Sequence, residues 1–119
     1  MHATVPHNPR LAVRWGRDLA AVGRWTRTAP APIVAGDLNA TLDNGPLRAA
    51  LGGCVSAVRG LAALVGTYPS SLPHWFGIRI DHVLVPAGTT TVDVQVHDVP
   101  GSDHRAVLAR LVLPDDRPD

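Results

Sequence analysis

At 119 residues, 45% of them hydrophobic and 18% charged, the chain is long enough for one hydrophobic core and too short for two. A net charge of +1 excludes a global field that would gather polyanions, so any anion specificity has to be local. The single Cys54 excludes an intramolecular disulfide, and no apolar run approaches the ~20 residues that span a bilayer.

All 11 basic residues are Arg and all 10 acidic residues are Asp, so there is no lysine and no glutamate. Whatever charged site the chain builds has to come from Asp, Arg and His, with Asn as a neutral donor. The N-terminus lacks the basic-then-apolar order of a signal peptide, and the expectation is a cytoplasmic protein.

Residues 1–7 carry only the trace of a strand tail. Asn8 followed by Pro9 is a helix start, the Asn as cap and the Pro where no backbone donor is needed. Leu11, Trp15, Leu19, Val22 and Trp25 recur at helical spacing, with Arg10, Arg14, Arg17 and Arg24 largely opposite. This predicts an amphipathic helix ending before Pro30. Residues 32–35 are a short apolar run closed by Gly36, the pattern of a buried strand entering a loop. A turn over residues 43–46 leads to a short helix over 47–51, stopped by Gly52 and Gly53. Residues 54–77 have no sustained period. Strands are expected over 78–85, 89–96 and 106–113, with a polar tail over 114–119. Helices mixed with nearly adjacent strands give an α/β or α+β class with a mixed or antiparallel sheet.

Three polar clusters adjoin these apolar runs. Asp37 and Asn39 follow the first strand, two residues apart, so both can face one side of the chain. That pair offers a proton acceptor or metal ligand beside a neutral donor, or it is simply good turn chemistry. Asp81 falls within an expected apolar strand, where an ionised carboxylate needs a partner and could orient an imidazole; a solvated strand face is the alternative. Its neighbour His82 points to the opposite face and reads as packing. Asp103 and His104 follow a Gly-Ser turn, where both can reach one site, the Asp toward a hard cation and the His toward a phosphoryl oxygen or water. Arg105 follows directly, with the fork that suits phosphate. Tyr68, His74, Trp75 and Phe76 mark a loop whose aromatics either stack on a base or form a satellite cluster. The His residues lack the close pairs of a zinc hydrolase.

Gly36-Asp37-Leu38-Asn39, Ile80-Asp81-His82 and Ser102-Asp103-His104-Arg105 together resemble the signature of the endonuclease/exonuclease/phosphatase superfamily, the deoxyribonuclease-I-like fold. The resemblance runs over residues 1–113. It implies half of a four-layer α/β/β/α sandwich, with one mixed or antiparallel sheet and helices on one face. It also implies a Mg²⁺- or Mn²⁺-dependent attack of water on a phosphoester, with nucleic acid a candidate substrate. By match to the motifs, Asp37 would orient or deprotonate the water and Asn39 would steady the transition state. His104 would contact the phosphate or move a proton, held by Asp81, while Asp103 would face the metal. His2 is the candidate for a further phosphate-contacting His, with His7 behind it; Arg105 and Trp75 are candidates for substrate contact.

One departure from the family pattern is large. The family's first half supplies an Asn and a metal-binding Glu, and this chain has no Glu. The expectation is therefore the C-terminal portion of such a domain, truncated and weak or inactive alone. The alternative is an inactive half-domain that binds a partner chain, or the missing half, through an uncovered sheet face. A longer parent could carry a membrane anchor.

Overall fold

The computed structural model describes residues 1–114. The expected polar tail lies, beyond Pro114, outside the described residues.

The long helix forms as its sequence dictates. Helix α1 runs Pro9–Thr26, with Asn8 Oδ1 accepting from the Leu11 amide at 2.9 Å. Helix α2, Gly45–Ala50, begins earlier than the expected 47 because Asn44 caps it and Pro46 occupies its first turn. The two helices are clamped where the buried Thr26 hydroxyl reaches the Ala50 carbonyl at 2.6 Å. Of the expected apolar stripe, Leu19 and Val22 are buried, while Trp25 sits at the rim, 43% exposed.

The described residues contain five strands: β1 Val34–Asp37, β2 Cys54–Ser56, β3 Asp81–Pro86, β4 Thr90–Asp98 and β5 Arg105–Val112. They make a small α+β domain with two antiparallel sheets, β1-β3-β2 and β4-β5, compatible with half of a sandwich. The single sheet of the expectation is thus divided in two. Strand β2, with a 3₁₀ turn over Gly60–Leu64 behind it, occupies the stretch where no periodicity was visible. Strand β3 starts at Asp81 rather than 78, because Ile78 bridges back to Tyr68 and the Ile80 carbonyl takes the Leu38 amide at 2.9 Å. Asp81 therefore stands at a strand mouth and not in its interior.

The core lies between the helices and one face of the three-stranded sheet. Leu19 and Val22 of α1, Leu47 and Ala50 of α2, and Val34 and Leu84 of the sheet pack there together with Leu38 and Cys54. Val34 pairs with Leu84 and Gly36 with His82, so His82 faces the helices as well. It is 2% exposed and its Nε2–H donates to the Ala40 carbonyl at 2.6 Å, the packing role expected of it. Asp37 and Asp81 come next in the register and point to the other face.

Candidate active site

The antiparallel register of β1 and β3 sets Asp37 directly opposite Asp81, at the open end of the sheet. Two carboxylates facing each other across strands repel, so the pair requires cationic or hydrogen-bonding company. His104, just before β5, supplies part of it. Its Nδ1–H donates to Asp81 Oδ2 at 2.7 Å, and its Nε2 stands 3.7 Å from Asp37 Oδ2. An ionised carboxylate only accepts, so this contact fixes the imidazole tautomer and leaves Nε2 toward the cleft. Burial pulls the His104 pKa down, but the hydrogen bond and charge of Asp81, aided by Asp37 and Asp103, outweigh it and raise the imidazole above its ordinary value.

His2 reaches the same point from the N-terminal segment. That segment adds in parallel to β1, with the Ala3 amide donating to the Asp37 carbonyl at 2.8 Å. His2 Nε2 lies 3.6 Å from Asp37 Oδ2, on a side chain that is 77% exposed. Gly36 makes this approach possible. Its φ is +151°, and a Cβ there would stand 1.9 Å from the Met1 carbonyl oxygen.

The loop after β1 is held from several directions. Asn39, at φ 48°, donates its amide N–H to Asp37 Oδ1 at 2.8 Å and its Nδ2 to the Ala3 carbonyl at 2.7 Å. Trp15 of α1 donates Nε1–H to the Leu38 carbonyl at 3.1 Å, tying the long helix to the site. His2, Asp37, Asn39, Tyr68, Asp103 and His104 are among the residues lining an open cleft of about 390 Å³. A larger cleft of about 550 Å³, between Arg59 and the start of β4, contains none of the expected site residues.

Asp37, Asp81 and His104 each offer a donor atom within 4.8 Å of the others, the only such trio among the described residues. Two carboxylates and an imidazole on an open wall suit a small divalent cation that keeps several waters or substrate oxygens in its shell. Asp103, expected to be the metal-facing carboxylate, stands outside this trio. It is 77% exposed at the rim, its Oδ1 3.9 Å from His104 Nε2.

Two expected substrate contacts are not brought to the cleft. Arg105 is only 4% exposed. Its Nε donates to Asp98 Oδ1 at 2.8 Å, its Nη1 to the Gly66 carbonyl at 2.8 Å, and its Nη2 to the Ser70 and Leu72 carbonyls. The fork thus welds the 66–72 loop to β4 and has no donor facing a phosphate. The Trp75 ring is 66% exposed and lies outside the cleft lining.

Tyr68 was expected only as a loop aromatic, and Thr67 escaped sequence reasoning altogether. The Tyr68 ring lies 4.9 Å from the His104 ring, centroid to centroid. Thr67 is fully buried and its Oγ1 accepts from the Ile80 and Asp81 amides at 3.2 and 3.3 Å. Its carbonyl takes the Arg105 amide at 2.8 Å. One threonine therefore sets the backbone at Asp81 and beside His104. Only its place in an apolar Gly-Thr-Tyr-Pro run hinted at this.

Comparison with family models finds a match over residues 2–104 to the Endonuclease/Exonuclease/phosphatase family. Comparisons with curated proteins and with solved structures returned no match.

Proposed function

The chain belongs to the endonuclease/exonuclease/phosphatase family, at whose level it is a metal-dependent phosphoester hydrolase, and we propose that its active cleft is the one lined by Asp37 and His104, with Asp81 joined to the His104 imidazole. The observation that carries this reading is the Asp37–Asp81 cross-strand pair, two opposed carboxylates that the His104 imidazole approaches together.

In this reading Asp37 and Asp81 hold Mg²⁺ or Mn²⁺, with His104 beside them and Asp103 as a further carboxylate at the rim. The cation, when bound, neutralises phosphate charge and polarises the phosphoryl oxygen. The protein groups do the rest. Asp37, with Oδ1 held by the Asn39 amide, keeps Oδ2 free to orient a water or take its proton. The second Nδ2 proton of Asn39 steadies charge developing on the phosphoryl group. His104, oriented through Nδ1 by Asp81, presents Nε2 to the scissile phosphate or passes a proton to the leaving oxygen. His2, across Asp37 from His104, adds a second imidazole on the phosphate side.

The metal-binding glutamate implied by the family pattern is missing from this sequence. We therefore expect the isolated chain to hydrolyse poorly. The test is turnover of bis(p-nitrophenyl) phosphate with Mn²⁺, comparing the chain with His104→Ala. Weak turnover that vanishes in the variant supports the proposal. Turnover that His104→Ala leaves intact sinks it, and robust native turnover refutes the weakened metal site.

A second reading, an inactive half-domain that binds a partner, is favoured by one observation. Along β5, Leu108 and Val112 are 59% and 57% exposed, and Val92 of β4 is 54% exposed. Apolar side chains repeated along a strand face suit coverage by another chain. A compact monomer on size-exclusion chromatography would count against this reading.

A further inference from the structure

The outer face of α1 carries a row of arginines without acidic partners. At about 100° per residue, Arg10, Arg14, Arg17 and Arg24 fall within about 80° of arc, along about 21 Å of the helix axis. All four are exposed, and among the described residues none of them is in an ion pair. Asp18 is the one acidic residue of the helix, and its Oδ2 accepts from the Thr4 amide at 2.8 Å.

This row works against the helix that holds it. Arg14 follows Arg10 by four residues and Arg17 follows Arg14 by three, spacings at which like charges repel. Arg10 also lies in the first turn, where the helix dipole disfavours a cation and no acidic residue offsets it. The core needs only the Leu19 and Val22 face, so packing does not account for the arginines. A negatively charged surface laid along the row relieves both repulsions.

The neighbourhood says which kind of surface. Val13 flanks the row on one side, 57% exposed, and Trp25 on the other, 43% exposed. Ile33, 46% exposed, shares with Trp25 a cleft of about 420 Å³ near the end of the helix. Guanidinium groups interleaved with exposed indole and aliphatic side chains match the headgroup zone of an anionic bilayer. The row is also turned away from the catalytic cleft. The helices cover one face of the β1-β3-β2 sheet, and Asp37 and Asp81 point to the other. A polyanion lying along α1 is therefore not presented to His104, which separates this face from substrate binding.

We propose that the outer face of α1 is a docking surface for an anionic lipid bilayer, with Arg10, Arg14, Arg17 and Arg24 against the lipid phosphates and Trp25 at the interface. Docked in this way, the acidic cleft faces water and not lipid. The proposal stands independently of the hydrolase reading.

The test is co-sedimentation of the whole chain with vesicles of phosphatidylcholine alone and with phosphatidylserine added, at ~0.1 M salt. Each arginine at such a surface adds about fivefold to binding. Arg10→Gln/Arg14→Gln should therefore bind the anionic vesicles about 25-fold more weakly than the native chain. Glutamine keeps the helix propensity, so the variant should fold, as circular dichroism will show. Arg59→Gln/Arg110→Gln removes the same charge from exposed positions off the helix and should leave binding within about twofold. Native binding should also fall away at ~1 M salt, a readout that needs no variant. Equal binding to the two kinds of vesicle, equal loss in the two double variants, or binding indifferent to salt overturns the proposal. Tighter binding to duplex DNA or to polyglutamate than to the vesicles, at equal anionic charge, also overturns it and assigns the face to nucleic acid or to an acidic protein.

Discussion

Replacing Asp81 by Asn should weaken the fold in a way that depends on pH. The Asp81 Oδ2–His104 Nδ1 contact is 2.7 Å long, between side chains 20% and 29% exposed. A charge-assisted hydrogen bond is worth about 1.5–3 kcal/mol when protected, and partial exposure reduces this to about 1–2 kcal/mol here. The His104 pKa is raised in the folded state, against burial, chiefly by Asp81. Folding therefore gains from this group below the unfolded value near ~6.5, and the gain disappears as pH rises through the raised folded value. In Asp81→Asn the Asn carbonyl still accepts from neutral imidazole, so the variant suffers most where His104 is charged. With about 3–6 °C per kcal/mol for a domain of this size, the melting temperature should drop by about 3–12 °C at pH 5.5. The gap should narrow markedly by pH 9. Thermal melts followed by circular dichroism across this range make the check, with the His104 NMR titration midpoint expected to move down in the variant. A constant gap at every pH, or none at pH 5.5, would refute the assigned ion pair.

Thr67→Val should cost about 2–3 kcal/mol, because the Ile80 and Asp81 amides lose their buried acceptor; Thr67→Ser should restore most of it, as read from urea midpoints. The buried His82 works in the opposite direction to His104. Burial holds its pKa low, so its stability contribution is complete above ~6.5 and is lost as pH falls toward the depressed folded value. His82→Gln should flatten that acid limb in the same melts, and an unchanged acid limb would place its source elsewhere.

How far the site could be read from sequence depends on the range of the contacts involved. Asp37, Asn39, Asp81 and His104 stand beside strand-like runs, so local pattern and the family resemblance singled them out as candidates, and the β1–β3 register sets the two aspartates opposite each other. Helix α1 was legible from Asn8-Pro9 and its apolar period, and His82 from strand alternation. Arg105 misled because a motif does not say which way a fork points. Its acceptors lie 33 to 39 residues away in the 66–72 loop, and Asp98 is the one acceptor close to it in sequence. Strand β2 has three residues, too few for any period to emerge. Thr67 has no local signature, since its partners are 13 and 14 residues on. Asp103 and Asp81 look alike in sequence, and only the register of β3 against β1 decides which one joins Asp37.

The central claim is that Asp37 and Asp81, with His104 beside them, form a divalent-cation site at the cleft. Substoichiometric Mn²⁺ added to the isotope-labelled chain tests it through paramagnetic broadening. The account predicts selective loss of the Asp37, Asp81 and His104 signals, abolished in Asp37→Asn, with the β4–β5 sheet unaffected. Broadening centred elsewhere, or equal in Asp37→Asn, would contradict it.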